Sequence, residues 1–291
     1  MLRSIKDMEN FAIRATDGTI GHAMDFLFDD EKWAIRYLVV DTGTWLPGRK
    51  VLISPIAIGR PDWAAKALPV AVTKEQVKAS PDIDTEKPVS RQHEMSYMAF
   101  YGYQDYWSGN ALWGAVPYPS MMAPLAAGPL YRPGDAEPNA PTSVRRDAAA
   151  RDKDSDPHLR SCKVVMTYSI EANDGDIGHV QGLLVDEETW AIRYMIVSTS
   201  NWWGGHQVLI APQSIQDVRW SDATVSVDLS RQAVKDAPTY DPGAQLDRDQ
   251  ELAIDEHYGR APSGRTRQGA NPASTPIRSA SQPRHGESTS R

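Results

Sequence analysis

Short runs of alternating apolar and polar residues, punctuated by Gly, Asp and Pro, predict a mainly β chain. Phe11-Ala12-Ile13-Arg14 reads as a first strand, and Asp17-Gly18 as a tight turn, because glycine accepts the positive φ such a hairpin requires. Ile20 to Phe28 is apolar and β-prone, and Asp29-Asp30-Glu31-Lys32 turns the chain at the surface. In Trp33 to Val40, Ile35, Tyr37 and Val39 alternate with Arg36 and Leu38, the clearest strand pattern of all. A turn through Gly43 to Gly48 leads to Lys50-Val51-Leu52-Ile53, ended by Pro55, which removes a ladder donor. Ile56 to Trp63 and Leu68 to Val72 supply two more strands. Thr73 and Gln76 then have the spacing of a helix capping box, and Pro81 closes that helix. Gly21, inside a strand, predicts a bulge or a sharp corner.

The pattern occurs twice. Asp17-Gly18-Thr19-Ile20-Gly21-His22 returns as Asp174-Gly175-Asp176-Ile177-Gly178-His179, and Trp33-Ala34-Ile35-Arg36-Tyr37 as Trp190-Ala191-Ile192-Arg193-Tyr194. The offset is constant at about 157 residues, and between Asp17 and Ile53 about 20 of the 37 positions are identical, which marks a duplicated folding unit. The second copy keeps the cap residue Ser230 but has Ala233 in place of Gln76, so half of the box is lost. Helical stretches are expected after each copy, at Arg91 to Tyr101 and Asp247 to Tyr258. The boundaries that follow are 1–102 for the first domain, 103–160 for a linker, 161–259 for the second domain and 260–291 for a tail. The linker opens with Tyr101, Tyr103, Tyr106, Trp107, Trp113 and Tyr118, too aromatic for an inert spacer. From Pro119 to Pro157 it turns rich in Pro, Ala and Gly and reads as flexible.

Composition narrows the function classes. No apolar run approaches the roughly eighteen residues needed to span a bilayer, and the N-terminus has no continuous apolar core of a secretory signal. Cys162 is the single cysteine, so an internal disulfide is excluded, and a cytoplasmic setting is expected. The net charge of −7 is uneven, because six arginines against Glu287 alone place about +5 in the tail and leave about −12 on the body. An acidic body argues against nucleic acid as the partner of the folded domains. The tail itself has no aromatic for base stacking and reads as disordered.

The whole series, Asp-Gly-x-Ile-Gly, an acidic turn, Trp-Ala-Ile-Arg-Tyr, Trp-x-x-Gly and then Lys/Gln-Val-Leu-Ile-x-Pro, resembles the PRC-barrel family. The family includes the cytoplasmic domain of the photosynthetic reaction centre H subunit and the C-terminal domain of a ribosome maturation factor. The resemblance covers about Met8 to Asp84 and Val165 to Asp241. It implies two small PRC-type β-barrels, each followed by short helices and joined by a flexible linker. It also implies docking to other macromolecules with no shared catalytic residues, and no cofactor or metal is expected. The chain has neither the membrane helix of the first relative nor the preceding domain of the second, and is closer to stand-alone tandem barrels of bacteria.

Candidate chemistry is sparse. His22 and His179 recur at equivalent sites, but Asp25 beside the first is replaced by Gly182 in the second, and solvent-facing histidines are the simpler reading. Asp29-Asp30-Glu31 and Asp186-Glu187-Glu188 lack the ligand spacing of a calcium loop and read as hydrated hairpin turns. No nucleophile–base series or nucleotide fingerprint is present, so the chain is expected not to be an enzyme. Interaction residues are sought instead among aromatics and arginines: Trp45, Trp202 and Trp203 in the Gly-rich turns, with Arg36 and Arg193. The competing expectation is that each tryptophan plugs its own barrel end, or that the copies pack on each other there as an internal pseudo-dimer or a homodimer. The expected function is an adaptor or scaffold for other proteins, in a stress response or a membrane-associated assembly. The alternatives are a ligand- or metal-sensing module built on His22 and His179, and an RNA- or ribosome-associated factor. Each half is expected to be complete in itself.

Overall fold

The computed structural model describes residues 1–81, 89–122, 158–199 and 206–259. It is mainly β, built as two mixed sheets with a few short helices. In the first copy β1 (Leu2–Ser4) and α1 (Ile5–Met8) precede β2 (Ala12–Ala15), β3 (Gly18–Asp29), β4 (Ala34–Asp41), β5 (Lys50–Ile53) and β6 (Ala67–Pro69). Helices α2 (Lys74–Ala79) and α3 (Arg91–Tyr101) follow. The second copy repeats the order with one strand more: β7 (Leu159–Ser161), α4 (Cys162–Val165), β8 (Ser169–Ala172), β9 (Gly175–Asp186), β10 (Ile192–Ser198), β11 (Gln207–Ile210), β12 (Ile215–Arg219) and β13 (Thr224–Val227). It ends in α5 (Arg231–Lys235) and α6 (Arg248–His257).

Local signals translate directly. Asp17-Gly18 and Asp174-Gly175 make the expected hairpins, with β2 antiparallel to β3 and β8 to β9. Each hairpin carries a register shift beside Gly21 or Gly178, whose φ values are 151° and 145°. A side chain at either glycine would overlap the backbone carbonyl of Asp41 or Ser198, so the missing Cβ is what lets β3 and β9 bend there. Thr73 and Gln76 form the reciprocal capping box, and Ser230 accepts only from the Ala233 amide. α3 and α6 occupy the expected positions, α6 with a capping box of its own at Asp247 and Gln250.

Long-range pairing departs from expectation. Within each copy the order is β5-β4-β3-β2-β6 or β11-β10-β9-β8-β13-β12, with β2 parallel to β6 and β8 parallel to β13. The three-residue strand that opens each copy, however, pairs with the other copy. β1 lies antiparallel to β9, with Leu2 opposite Asp186, and β7 lies antiparallel to β3, with Leu159 opposite Asp29. The two halves are therefore not each complete in themselves. The chain exchanges its opening strands reciprocally and builds an internal pseudo-dimer.

A second seam runs through the turns after β3 and β9. Trp33 and Trp190 adopt left-handed conformations with φ of 51° and 59°. In non-glycine residues these cost about 1–2 kcal/mol each. What the reversed backbone achieves is a reciprocal bridge: the Ile35 amide donates to the Trp190 carbonyl at 2.8 Å, and the Ile192 amide to the Trp33 carbonyl at 2.7 Å. One apolar core accordingly runs from Ile5 and Phe11 of the first copy to Val225 and Val234 of the second. A smaller cluster under α6 joins Leu2 of the exchanged strand to Leu184, Tyr194, Leu209 and Ile254.

β4 also differs from its expected alternation, since every residue from Ala34 to Val40 is buried. One face packs on the sheet core, and α3 with the segment after it covers the other. The linker assignment holds two kinds of chain: 103–122 is packed on the first sheet, where the turn Pro119–Met122 meets the turn Pro55–Ala57. Its Pro/Ala-rich continuation, 123–157, and the basic tail from 260 lie outside the described residues. No helix among the described residues is long and apolar enough to cross a membrane.

Candidate functional site

The acidic turns are where the copies are joined, and each acid has its own task. Asp29 and Asp186 are buried rather than hydrated. Asp29 Oδ1 accepts from the Glu31 and Lys32 amides, and Asp186 Oδ1 from the Glu188 and Thr189 amides, so each carboxylate closes its own turn. Asp30 and Glu187 face the exchanged strands. Arg160 Nε donates to Asp30 Oδ2 at 2.8 Å, and Arg3 Nε donates to Glu187 Oε1 at 2.6 Å. Burial raises the Asp30 carboxyl above its ordinary range, against the opposing pull of Arg160. Glu31 and Glu188 stay exposed.

Arg36, expected on a contact surface, is wholly buried instead. Its Nη2 donates to Asp29 Oδ2 at 3.0 Å, and its guanidinium carbon lies 4.1 Å from the Tyr106 ring centre and 4.7 Å from that of Trp113. A fully buried guanidinium is expensive to desolvate, and the ion pair and two ring faces offset that cost. The rings come from the aromatic segment after α3, which thus packs on the first sheet. Trp113 Nε1 goes on to donate to the Thr189 carbonyl of the second copy at 2.8 Å.

Beneath this stack sits Glu94 of α3, with no exposed surface. Tyr106 Oη donates to its Oε1, and Oε2 lies 2.7 Å from His158 Nε2 and 3.1 Å from Arg91 Nη1. His158 immediately precedes β7, so the carboxylate ties α3, the aromatic segment and the exchanged strand together. Burial first, and then the Glu94 charge, push the Tyr37 and Tyr106 phenols well above their ordinary pKa. Carboxylate, imidazole and phenol are the residue types of an acid–base site. Glu94 and Tyr106 are completely enclosed, and only the His158 and Arg91 side chains reach partly to the surface. Chemically it is a latch.

The remaining candidates are placed as follows. Trp45 is half-buried, packs against its own copy's core and has Lys74 Nζ 5.0 Å from its ring centre. Trp202 and Trp203 lie outside the described residues. Arg193 is half-buried at the edge of an open cleft between the copies. His22 and His179 are exposed. Asp25 serves α4 rather than His22: its Oδ2 accepts from the Ser161 hydroxyl at 2.5 Å and its Oδ1 from the Lys163 amide. Among the described residues no group of three His, Cys, Asp or Glu side chains is placed to hold a metal. Cys162 is fully buried, and burial holds its thiol well above the ordinary range, which removes the thiolate needed for reactivity.

Sequence reasoning passed over Arg3, Arg160, Glu94 and His158. A signal for the first two was present, since Leu2-Arg3-Ser4 and Leu159-Arg160-Ser161 are identical and share the repeat offset. Comparison with protein-family models and with curated proteins gives no match.

Proposed function

We propose that this chain is a tandem of PRC-type barrels that works by non-covalent docking, as an adaptor or scaffold for another protein. The series Asp-Gly-x-Ile-Gly through Val-Leu-Ile-x-Pro, carried by both copies on equivalent strands, supports the family reading. In it the two hydrogen-bonded sheets are the walls of the barrels, and isolated bridges such as Ile58 to Val70 lie where the first would close.

The observation that carries the docking reading is a division of labour between interior and surface. Glu94, Tyr106 and Tyr37 are enclosed, and Glu94 is spent on tying α3 and the aromatic segment to His158 beside the exchanged strand. A concave surface at the seam is a cleft lined by Trp33, Arg193 and Pro212 among others. Aromatics and arginine in a concavity are the composition of binding hot spots. The test is crosslinking capture with the full chain from its native cells. A discrete protein partner, recovered in saturable amounts, supports the reading. Recovery of small-molecule turnover by the purified chain, with no protein crosslinked above background, sinks it.

A further inference from the structure

One break in the pseudo-symmetry of the chain leaves a side chain uncovered. Arg36 and Arg193 occupy equivalent positions on β4 and β10, each seven residues beyond a turn-closing Asp, but only Arg36 is wholly covered. Tyr106 and Trp113 lie over it, and the Trp113 indole is fastened to the Thr189 carbonyl. Over Arg193 there is instead an open cleft of about 470 Å³, walled by Glu31, Lys32, Trp33, Leu112, Pro212 and Gln213. No aromatic ring among the described residues lies over the Arg193 guanidinium.

The reason can be read in the chain itself. The cover of Arg36 comes from the segment that follows α3. By the repeat, the cover of Arg193 should come from the segment that follows α6, and residues 260–291 contain no Phe, Trp or Tyr. The anchoring groups have nevertheless been kept. Glu251 stands on α6 where Glu94 stands on α3, half-buried rather than enclosed, beside Tyr194 as Glu94 is beside Tyr37. Lys32 takes the place of Thr189 in the repeat and, like it, lines the cleft.

We infer that the cleft over Arg193 is a docking site for a partner protein's extended segment bearing a Tyr and a Trp, which stacks on Arg193 as Tyr106 and Trp113 stack on Arg36. The aromatic segment of a second copy is a poor competitor for the site, because its rings are already buried on its own Arg36. The partner's rings pack against Trp33 and Arg193 of the cleft wall, and the guanidinium supplies the ring-face attraction that fixes their positions.

The inference rests on the docking reading above, and the two fail differently. The probe is a synthetic peptide of residues 103–118, which carries both rings, titrated into the full chain by calorimetry. Saturable binding at one site per chain is expected, weakened about tenfold or more by Arg193→Ala in the chain and by Trp113→Ala in the peptide. Gln213→Trp, on an exposed wall, fills the cleft without disturbing the core and should weaken binding similarly. Absence of saturable binding, or equal affinity for the wild-type chain and a folded Arg193→Ala or Gln213→Trp chain, overturns the site. Equal competition by a peptide of residues 260–291 makes the tail the occupant and also overturns it. A partner captured by the full chain with no dependence on Arg193 refutes this site and leaves the docking reading standing.

Discussion

Arg3 and Arg160 make the same pair of contacts in opposite directions. Arg3 donates to Glu187 of the second copy while lying 4.4 Å over the Trp63 ring of the first. Arg160 donates to Asp30 of the first copy while lying 4.0 Å over the Trp220 ring of the second. Each guanidinium thus spans both sheets, with an ion pair on one side and a ring face on the other. Strand exchange is held by side chains as well as by the backbone ladder.

Cutting the chain therefore should not yield two independently folded halves. A fragment of residues 1–122 loses β7 but keeps β1, whose Leu2-Arg3-Ser4 is identical to Leu159-Arg160-Ser161. It also keeps Asp30 and Trp63, the contacts that receive these arginines. The expected product is a homodimer in which each copy's β1 pairs with the other's β3, seen as twice the fragment mass in light scattering. In the intact chain, Arg160→Ala should cost about 2 kcal/mol in urea unfolding, more than the better-exposed Arg3→Ala. A folded monomer of 1–122 would contradict the exchange.

Glu94 makes a separate prediction. Replacing it with Ala leaves His158, Arg91 and the Tyr106 hydroxyl without their shared acceptor in an enclosed site, at a cost of about 3–5 kcal/mol. Glu94→Gln keeps the shape and one acceptor oxygen and should lose about half as much. Limited proteolysis should cut within 103–122 in the Ala variant before the sheets unfold, since those rings are held partly through Tyr106. Urea midpoints of the two variants indistinguishable from wild type would show that the latch contributes nothing.

What could be read in advance was local. The Asp17-Gly18 hairpin, the strand glycines, the Thr73–Gln76 box and the positions of α3 and α6 each depend on a few neighbouring residues, and each signal names its own geometry. The exchanged strands do not. Three residues carry no periodicity, and pairing Leu2 with Asp186 is a fact about distant chain that no window contains. Arg36 was misplaced for a related reason. Alternation on β4 gave a polar face, but the cover for that face arrives from residues 106 and 113, after a helix. The repeat offset was the one non-local signal available. It identified the copies and, extended to residues 2–4, also marks the strands they trade.

Gly21 and Gly178 test the corner geometry. Both have φ values that side chains rarely adopt, and a Cβ would run into a backbone carbonyl, which cannot rotate away as a flexible side chain could. Gly21→Ala should cost about 3 kcal/mol, and so should Gly178→Ala. Gly43→Ala serves as the control. It shares a positive φ of 56° but meets nothing within 4 Å, so it should lose only about 1 kcal/mol. Equal losses at all three positions would mean that the backbone angle alone matters and the close approach does not.

The buried phenols predict an alkaline limit to stability. Burial raises Tyr37, Tyr97 and Tyr106 well above the ordinary phenol value and brings Tyr101 up to about 12, although the Ser80 and Arg49 contacts of Tyr101 pull the other way. With the folded pKa above the unfolded one, each tyrosine's contribution is complete below about pH 10 and is lost as pH rises through the folded value. Tyr101 alone forfeits about 2–3 kcal/mol between pH 10 and 12. Several such groups acting together should unfold the chain before any of them ionises in place. Tyrosinate absorbance and tryptophan fluorescence, followed together, should therefore change in one cooperative step above pH 10. Ionisation spread evenly around pH 10 with the fluorescence unaltered would show that these rings are open to solvent and that the aromatic segment does not seal the first sheet.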